Sequence, residues 1–301
     1  NSDKTCVYMV LVYKSLRNTI KHNAGASEPM DEKGTGTRSD SRNGAEEREC
    51  LLARMDGTRP VRETMIHETS VQILINGKPL IRTQCLAREL DCMAVGYVQS
   101  LGLLQRRDQL IRVGISPSGD SANVITAGTA PPADPEGVPL IRGTGGGTFS
   151  EAGRPPGTPA ARIESPFAID LSRLLCIAQT YNGREGLYRA SRFVHSAALS
   201  DGNRLLCFFE DVGRHNAVDK ALGWGFMQQS DFSRTVLLCS GRFSVEMVIK
   251  AAAAGIPIYC APAAASIEAM ELAQQLDMSL CGRLSSDSVT VYSAPWRITA
   301  P

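Results

Sequence analysis

The sequence predicts an α/β fold in which a largely parallel sheet is covered by helices on both faces and is preceded by a smaller α/β module. In the second half of the 301-residue chain, short apolar runs alternate with segments whose apolar residues recur at helical spacing. That alternation is typical of parallel strands joined by crossover helices. In the first half, Asn76-Gly77 separates two strand-like runs and indicates a tight hairpin turn. The length is sufficient for two domains.

The composition indicates a soluble globular protein without an overall attraction for nucleic acid or acidic membranes. Its 32 basic and 31 acidic side chains leave a formal net charge of +1, so an anionic ligand has to be held by a local cluster of donors. No apolar run approaches the roughly 18–20 residues of a membrane helix, and we expect a cytoplasmic protein with no nucleic-acid or membrane partner. The nine cysteines are odd in number and lack Cys-x-x-Cys spacing, which favours reduced thiols, excludes a Cys-only zinc finger and predicts no metal site.

The first two segments of the chain are predicted to differ in order. Residues 1–58 are expected to be a disordered or artefactual extension, because the stretch from Asp31 to Glu49 has no apolar residue beyond Ala45. Residues 59–115 are expected to form the small α/β domain. Its predicted elements are a strand over Val71–Ile75, a returning strand over Lys78–Arg82 and a helix over Leu86–Leu101 that ends at Gly102.

Residues 116–160 are predicted to be a Gly/Pro-rich linker loop, and residues 161–301 the larger αβα domain. The linker contains the glycine run Gly143–Thr148, which lacks the Lys-Ser/Thr pair and the strand–helix frame of a phosphate-binding loop. We therefore interpret the run as part of a flexible linker. The predicted elements of the larger domain are helices over Leu171–Gln179, Val218–Phe226, Val245–Ala254 and Ser266–Leu276, and strands over Arg204–Phe209, Thr235–Cys239, Ile256–Cys260 and Ser279–Cys281.

Three polar clusters follow strands of the larger domain and are expected to meet at one edge of its sheet, where ligands of α/β proteins collect. They are Glu210–Lys220, Ser240–Ser244 and Arg283–Asp287. In the second cluster, the backbone N–H groups at the start of a helix, together with Arg242, predict an anion site. The alternative is a solvated capped turn for the first cluster and a plain capped turn between a strand and a helix for the second, and the third cluster alone says little.

The runs EDVGRHNAVDK from Glu210 and SGRFSVEMVIKAAAAGIPI from Ser240 resemble the family of the formate dehydrogenase accessory protein FdhD. The similarity extends from about Val61 to Tyr292. It implies a cytidine-deaminase-like αβα domain with a smaller N-terminal α/β domain. It also implies a function, because family members accept sulfur from a cysteine desulfurase and transfer it to the molybdenum bis(molybdopterin guanine dinucleotide) cofactor of formate dehydrogenase. Deamination is not implied, since the His-x-Glu and Pro-Cys-x-x-Cys motifs of zinc deaminases are absent from the sequence.

The chain departs from the family at the residues that carry sulfur. Alignment of the flanking segments places the family's Cys-x-x-Cys motif on the glycine run, with Gly146 and Phe149 in place of the two cysteines. Neither residue can form a persulfide, which requires a thiolate. Either sulfur transfer persists through another thiol, with Cys239 and Cys260 as fallback candidates against the alternative of buried structural cysteines, or the protein only binds and escorts the cofactor. A family Thr-Gly-Gly-x-His element reads Ser191–His195 here and keeps only its histidine, which is either a site residue or a core histidine.

The resemblance and the polar clusters together predict a set of cofactor contacts. The arginines are expected to pair with phosphate oxygens, His215 and Asn216 to hydrogen-bond the pterin or guanine, and Ser244 and Lys250 to support the helix-start anion site. Asp219 and Lys220 are expected to form an internal ion pair, and Glu246 to help cap its helix. The full predicted set is Arg214, His215, Asn216, Arg242, Ser244, Lys250, Arg283, Leu284, Ser285, Ser286, Asp287 and Ser288.

The resemblance also implies the partners. They are a cysteine desulfurase and formate dehydrogenase, with a second copy of the chain as a further candidate, and a free guanine nucleotide is expected to mimic the cofactor. Two other functions stay open from the sequence. One is a nucleotide-binding regulatory module, and the other is a degenerate paralogue that keeps the fold for partner binding alone.

Overall fold

The computed structural model of the protein describes residues 44–128, 140–142 and 162–300, all within one compact unit. In this unit a five-stranded sheet and a six-stranded sheet lie on opposite sides of a layer of helices. A further helix covers the outer face of the six-stranded sheet. The αβα arrangement predicted for the second half of the chain is therefore confirmed, and the smaller α/β part packs against it.

The helices and strands are numbered here in chain order. The first part of the chain forms β1 (Ala45–Arg54), β2 (Gly57–Ile66), β3 (Thr69–Ile75), β4 (Lys78–Cys85), α1 (Leu90–Ser100), β5 (Leu110–Ile115), β6 (Ser121–Thr126) and β7 (Leu140–Arg142). The second part forms β8 (Ile169–Asp170), α2 (Leu171–Asn182), α3 (Leu187–Ser191), β9 (His195–Ser200), β10 (Leu205–Asp211), α4 (Arg214–Met227), β11 (Val236–Cys239), α5 (Val245–Ala253), β12 (Ile258–Cys260), α6 (Ile267–Gln275), β13 (Ser279–Gly282), β14 (Thr290–Val291) and β15 (Ile298–Thr299).

The five-stranded sheet has the order β5-β6-β3-β4-β7. The predicted turn at Asn76-Gly77 is confirmed, and both residues have the positive φ values, 49° and 80°, that a two-residue hairpin loop requires. The linker interpretation of residues 116–160 is wrong for two segments, because β6 lies between β3 and β5 and β7 pairs with β4. The alternating burial of β6 is a strand pattern that the surrounding Gly and Ser residues concealed. The glycine run Gly143–Thr148 lies outside the described residues.

The prediction of disorder for residues 1–58 is wrong from Gly44 onward. β1 and β2 form an antiparallel hairpin whose register runs from Ala45 opposite Ile66 to Arg54 opposite Gly57. Gly57 has a φ of 147°, a conformation that glycine adopts far more readily than other residues. Most side chains of the two strands are exposed, so backbone hydrogen bonds hold the hairpin. Its low apolar content therefore gave no sign of ordered structure.

The six-stranded sheet has the order β10-β9-β11-β12-β13-β14 and is mixed rather than largely parallel. β11, β12 and β13 pair in parallel, whereas β9 is antiparallel to both β10 and β11, and β14 is antiparallel to β13. The parallel prediction is wrong at the β9–β10 edge because residues 201–204 form a short hairpin connection, and a parallel pair needs a longer crossover. As a result, the start of β9 and the ends of β10, β11 and β12 lie at the same edge of the sheet.

Helices α1 and α4 cross with their backbones in contact. A Cβ atom added at Gly96 would lie 1.8 Å from the Asp219 carbonyl oxygen, and one added at Gly223 would lie 1.9 Å from the Cys92 carbonyl oxygen. Side chains of α1 form part of the core under the five-stranded sheet, and those of α4 form part of the core under the six-stranded sheet. The two glycines thus allow the two halves of the unit to pack closely.

Candidate functional site

A cavity of about 740 Å³ lies at the edge of the six-stranded sheet where β9 begins and β10 and β11 end. It is lined by residues of these strands, by the end of α2 and by the segment 183–194, which contains α3. We call this cavity the arginine pocket, because Arg184, Arg189 and Arg192 line it. Its volume is within the range of small-molecule sites in proteins.

The three arginines carry positive charge that no described carboxylate neutralises. None of them forms a salt bridge within the described part of the chain. The Arg184 guanidinium lies 5.5 Å from the centre of the Phe208 ring, and that of Arg192 lies 5.3 Å from the centre of the Tyr188 ring. Exposed, unpaired guanidinium groups beside a cavity are suited to bidentate binding of phosphate oxygens.

Glu210, the last residue but one of β10, holds the arginine-bearing segment in place. Its carboxylate accepts hydrogen bonds from the backbone N–H groups of Leu187 at 2.8 Å and Tyr188 at 2.9 Å. These are free N–H groups at the start of α3, where a negative charge is favourable. A Cβ atom at Gly186 would lie 2.5 Å from the same carboxylate, so a side chain there would displace the Glu210 carboxylate from its present position.

His195 lies in the pocket wall and is hydrogen-bonded rather than buried in a core. Its Nδ1 is 3.1 Å from the Ser240 hydroxyl oxygen, which also accepts a hydrogen bond of 3.0 Å from the Ser196 backbone N–H. The Tyr181 hydroxyl continues this chain at 2.6 Å from the Ser196 hydroxyl. Burial, followed by the nearby charge of Arg214, lowers the pKa of His195 below its usual value of 6.5. The imidazole is therefore neutral at physiological pH and acts as a hydrogen-bonding group.

Much of the first polar cluster, from Glu210 to Lys220, is internal. Asp211 is fully buried and forms a salt bridge of 2.9 Å with Lys220, which is itself fully buried. The Asn216 amide donates to the Asp211 carboxylate at 2.9 Å and to the Gln84 carbonyl at 2.8 Å. The expected Asp219–Lys220 pair is therefore wrong, since Lys220 pairs with Asp211. The Asn216 side chain hydrogen-bonds residues of its own chain and does not line the arginine pocket.

The helix interface contains two more predicted site residues. Lys250 is buried, pairs with Asp219 and donates to the Ser100 hydroxyl at 3.0 Å. Its charge is neutralised within the helix layer, so the expectation that it supports an anion site at the start of α5 is wrong. The buried His215 Nε2 lies 3.0 Å from a Glu246 carboxylate oxygen. Glu246, in the first turn of α5, thus has a histidine partner that the expected capping role did not include.

Arg214, Arg242 and Ser244 remain candidates for contact with an anion at the sheet edge. The Arg214 side chain lies against Gly241, where an added Cβ atom would be 2.6 Å from the Arg214 Cδ. The Arg214 Nε and the Ser244 hydroxyl are buried atoms without a hydrogen-bond partner in the described residues. Arg242 is exposed. Buried polar atoms of this kind are usually satisfied, so an anion that reached Arg214 and Ser244 would supply the acceptors they lack.

The loop Arg283–Ser288 is a compact turn next to α2. Its serine and aspartate side chains hydrogen-bond one another, and the Ser286 carbonyl accepts a hydrogen bond of 3.0 Å from the Gln179 side chain. Arg283 is exposed, whereas Leu284 is buried in the core beneath α2. A ligand contact by the Leu284 side chain is disfavoured by this burial, and the predicted contact is left to the Leu284 backbone. Gln179 is two residues before Tyr181 on α2, and Tyr181 lines the arginine pocket, whereas no residue of the loop does.

The fallback thiols are poorly suited to sulfur chemistry. Cys239 and Cys260 are fully buried, and burial raises the pKa of both thiols, which disfavours the reactive thiolate. Among the described cysteines, Cys176 on α2 is exposed and Cys50 is partly exposed. The aligned positions Gly146 and Phe149 lie outside the described residues. No group of three or more metal-ligating side chains is found in the described ranges.

Sequence reasoning missed Arg184, Arg189 and Arg192, and it missed the contact by which Glu210 holds the start of α3. Three arginines within nine residues were a signal, but their distance from the polar clusters along the chain concealed their common location.

No helix in the described ranges has the length and apolar character needed to span a bilayer.

Comparison with known proteins matches residues 66–299 to the FdhD/NarQ family. The sulfur carrier protein FdhD of Streptomyces avermitilis is 34% identical over 276 residues, covering 84% of this chain and 95% of that protein. The protein of the same name from Wolinella succinogenes is 29% identical over 243 residues, covering 78% and 82%. A crystal structure described as a formate dehydrogenase accessory protein from Desulfotalea psychrophila has the same fold, with a TM-score of 0.69, 20% identity and coverage of 85% of this chain and 99% of that one. The matched region includes all residues of the arginine pocket.

Proposed function

The chain belongs to the FdhD/NarQ family, and on that basis we propose that it is an accessory protein in formate dehydrogenase maturation. In this role it binds the molybdenum bis(molybdopterin guanine dinucleotide) cofactor as cargo and escorts it to the client enzyme. The redox chemistry of the cofactor belongs to the client after delivery. This chain contributes binding and orientation.

The observation that carries this proposal is the arginine pocket. The cofactor contains pyrophosphate groups, and Arg184, Arg189 and Arg192 present guanidinium groups that no described carboxylate neutralises. Guanidinium groups bind phosphate oxygens through paired hydrogen bonds. The neutral His195 and the Ser240 hydroxyl add uncharged hydrogen-bonding groups to the same cavity. A volume of about 740 Å³ is large enough for one nucleotide half of the cofactor.

Escort of the cofactor is favoured over persulfide transfer by the state of the thiols. The relatives are named sulfur carriers, whereas this chain has Gly146 and Phe149 at the aligned cysteine positions. Cys239 and Cys260 are buried with raised pKa values. Transfer through a different thiol is a second candidate function, because Cys176 is exposed on α2, the helix whose last residues line the arginine pocket.

The proposal is tested in a bacterium that makes the cofactor but lacks its own FdhD. The tagged chain is purified from these cells and assayed for bound molybdopterin guanine dinucleotide. We expect the wild-type chain to carry the dinucleotide and Arg189→Glu/Arg192→Glu to lose it, because reversed charges repel the phosphates. Arg204→Glu is the matched control, since Arg204 is exposed in the β9–β10 connection and does not line the pocket. A wild-type chain that purifies without the dinucleotide would contradict the proposal.

A further inference from the structure

We propose that Glu210 determines the specificity of the arginine pocket by accepting hydrogen bonds from the edge that guanine and pterin rings share, a ring N–H beside an exocyclic amino group. This inference rests on the proposed function and deepens it. It assigns to one side chain the choice between guanine-type and adenine-type ligands. Glu210 is the one acidic side chain among the described residues that line the pocket.

The position of Glu210 on β10 places it beside an aromatic surface. Alternate residues of a strand point to the same side of the sheet, and Phe208 and Glu210 both line the pocket. The Phe208 ring lies under the Arg184 guanidinium, and the rings of Tyr188 and Phe193 line the same cavity. Flat aromatic and guanidinium groups favour the stacking of a planar heterocycle. A ring stacked in this pocket would have its edge within reach of the carboxylate.

A carboxylate is chemically complementary to the guanine edge. Guanine presents an N–H and an exocyclic amino group side by side, and both donate, whereas adenine presents a ring nitrogen that accepts. An ionised carboxylate only accepts hydrogen bonds and has about four lone-pair sites. The backbone N–H groups of Leu187 and Tyr188 each bond to one oxygen of Glu210. A second acceptor site on each oxygen is therefore left for the two donors of the ligand.

The charge of Glu210 also sets the direction in which a nucleotide would bind. The carboxylate repels phosphate groups, whereas Arg189 and Arg192 attract them. A nucleotide therefore gains most when its phosphates lie at the arginines and its base lies at Glu210. A carboxylate in a pocket that served only inorganic anions would weaken binding without benefit to specificity.

The test compares four probes by calorimetry on the full chain: GDP, IDP, ADP and inorganic pyrophosphate. IDP differs from GDP only by the missing amino group. A lost hydrogen bond to a charged group predicts IDP binding about tenfold weaker than GDP, and ADP binding weaker still. In Glu210→Gln, we expect the GDP-to-IDP ratio to fall to within about twofold. The glutamine has one acceptor oxygen for the two N–H groups of α3, so a displacement of the arginines weakens GDP, IDP and pyrophosphate by a common factor and leaves this ratio as the readout. Glu185→Gln is the matched control, since it removes the same charge nearby without lining the pocket.

Each other result overturns the inference in a distinguishable way. Equal binding of GDP and ADP by the wild-type chain, or an unchanged GDP-to-IDP ratio in Glu210→Gln, overturns it and leaves the proposed function intact. Weaker binding of GDP, IDP and pyrophosphate by one common factor in Glu210→Gln, with the GDP-to-IDP ratio of the wild type retained, overturns it in favour of a purely structural role in holding α3. Absence of pyrophosphate and GDP binding in the wild-type chain overturns the proposed function as well.

Discussion

Asp211 is the residue at which the candidate site meets the packing of the two sheets. It accepts hydrogen bonds from the backbone N–H groups of Leu86 and Gly213 and pairs with Lys220. The Lys220 ammonium also donates to the carbonyl groups of Leu86 and Glu210. One buried ion pair thus connects the loop before α1 with the end of β10, the strand that carries Glu210.

Replacement of Lys220 by methionine is expected to destabilise the protein strongly. The change leaves the fully buried Asp211 carboxylate without its charged partner, and breaking a buried pair on one side costs about 3–5 kcal/mol. Urea unfolding followed by circular dichroism measures the change in the free energy of unfolding. Lys78→Met, at an exposed lysine of β4, is the control and should change it by less than about 0.5 kcal/mol. A loss for Lys220→Met as small as the control's would refute the assigned role.

At the scale of elements, the crossing of α1 and α4 joins the small sheet to the large one. Gly96 and Gly223 allow backbone contact at this crossing. Such contact increases the buried area between helices but leaves no space for a methyl group. The polar links of Asp211 and Lys250 lie on the same α4 interface. The relative position of the two sheets therefore depends on close backbone packing together with buried polar pairs.

Gly96→Ala is expected to separate the two helices. The added Cβ atom would lie 1.8 Å from the Asp219 carbonyl oxygen, and that atom belongs to the backbone. Overpacking of this kind costs about 1–3 kcal/mol or more, measured as a lower thermal midpoint. Gly114→Ala in β5 is the matched control, because its nearest neighbour is a flexible arginine atom 4.0 Å away. Equal midpoints for the two variants would show that the crossing tolerates a side chain.

The sequence predicted those elements whose apolar pattern is strong. Val236–Cys239 and Val245–Ala253 were found almost to the residue, because a buried strand and an amphipathic helix have distinct periods. Ala45–Arg54 and Leu140–Arg142 were missed. The first is held by backbone hydrogen bonds with few buried side chains, and the second is a three-residue strand within a Gly/Pro-rich segment. The antiparallel direction of β9 depends on the short connection between β9 and β10. The spacing of apolar residues carries no information about the direction of a strand.

At the scale of the whole molecule, most cysteine thiols of the described residues are buried away from solvent. Cys239 and Cys260 lie in adjacent strands of the six-stranded sheet. Burial raises the pKa of Cys85 and Cys207 to about 12, since the thiolate is poorly solvated there. Cys176 is exposed on the outer helix. The folded chain therefore offers few nucleophilic sulfur atoms within its described part.

Peptide mapping after treatment with a cysteine desulfurase and cysteine is expected to find no persulfide on Cys239 or Cys260. Their burial keeps the thiolate fraction and the access of the desulfurase low. Iodoacetamide labelling of the native chain should modify Cys176 first and these two only after denaturation. A dithiothreitol-sensitive gain of one sulfur on Cys239 or Cys260 in the folded protein would contradict the account. A gain on Cys176 would favour the second candidate function.

The candidate site was predictable only in part, for a reason that belongs to the whole fold. The sequence placed its polar clusters at the sheet edge where the arginine pocket lies, because polar residues that follow strands collect there. Arg214 does not line that pocket and stays a predicted contact. The sequence also assigned Asn216 and Lys250 to the site, whereas the side chains of both form hydrogen bonds or ion pairs inside the unit. The arginines of segment 183–194 reach the pocket because Glu210 holds α3 there. That contact is tertiary and leaves no local pattern.

The most direct test of the central claim is a calorimetric titration of the folded chain with inorganic pyrophosphate. We predict saturable binding that weakens with added salt and falls at least about tenfold in Arg189→Gln/Arg192→Gln, since each lost charge-assisted hydrogen bond is worth about 1.5–3 kcal/mol. Arg204→Gln, an exposed arginine outside the pocket, should bind as the wild type does. Equal affinity in all three proteins, or no binding by the wild type, would contradict the assignment of the arginine pocket as the phosphate site.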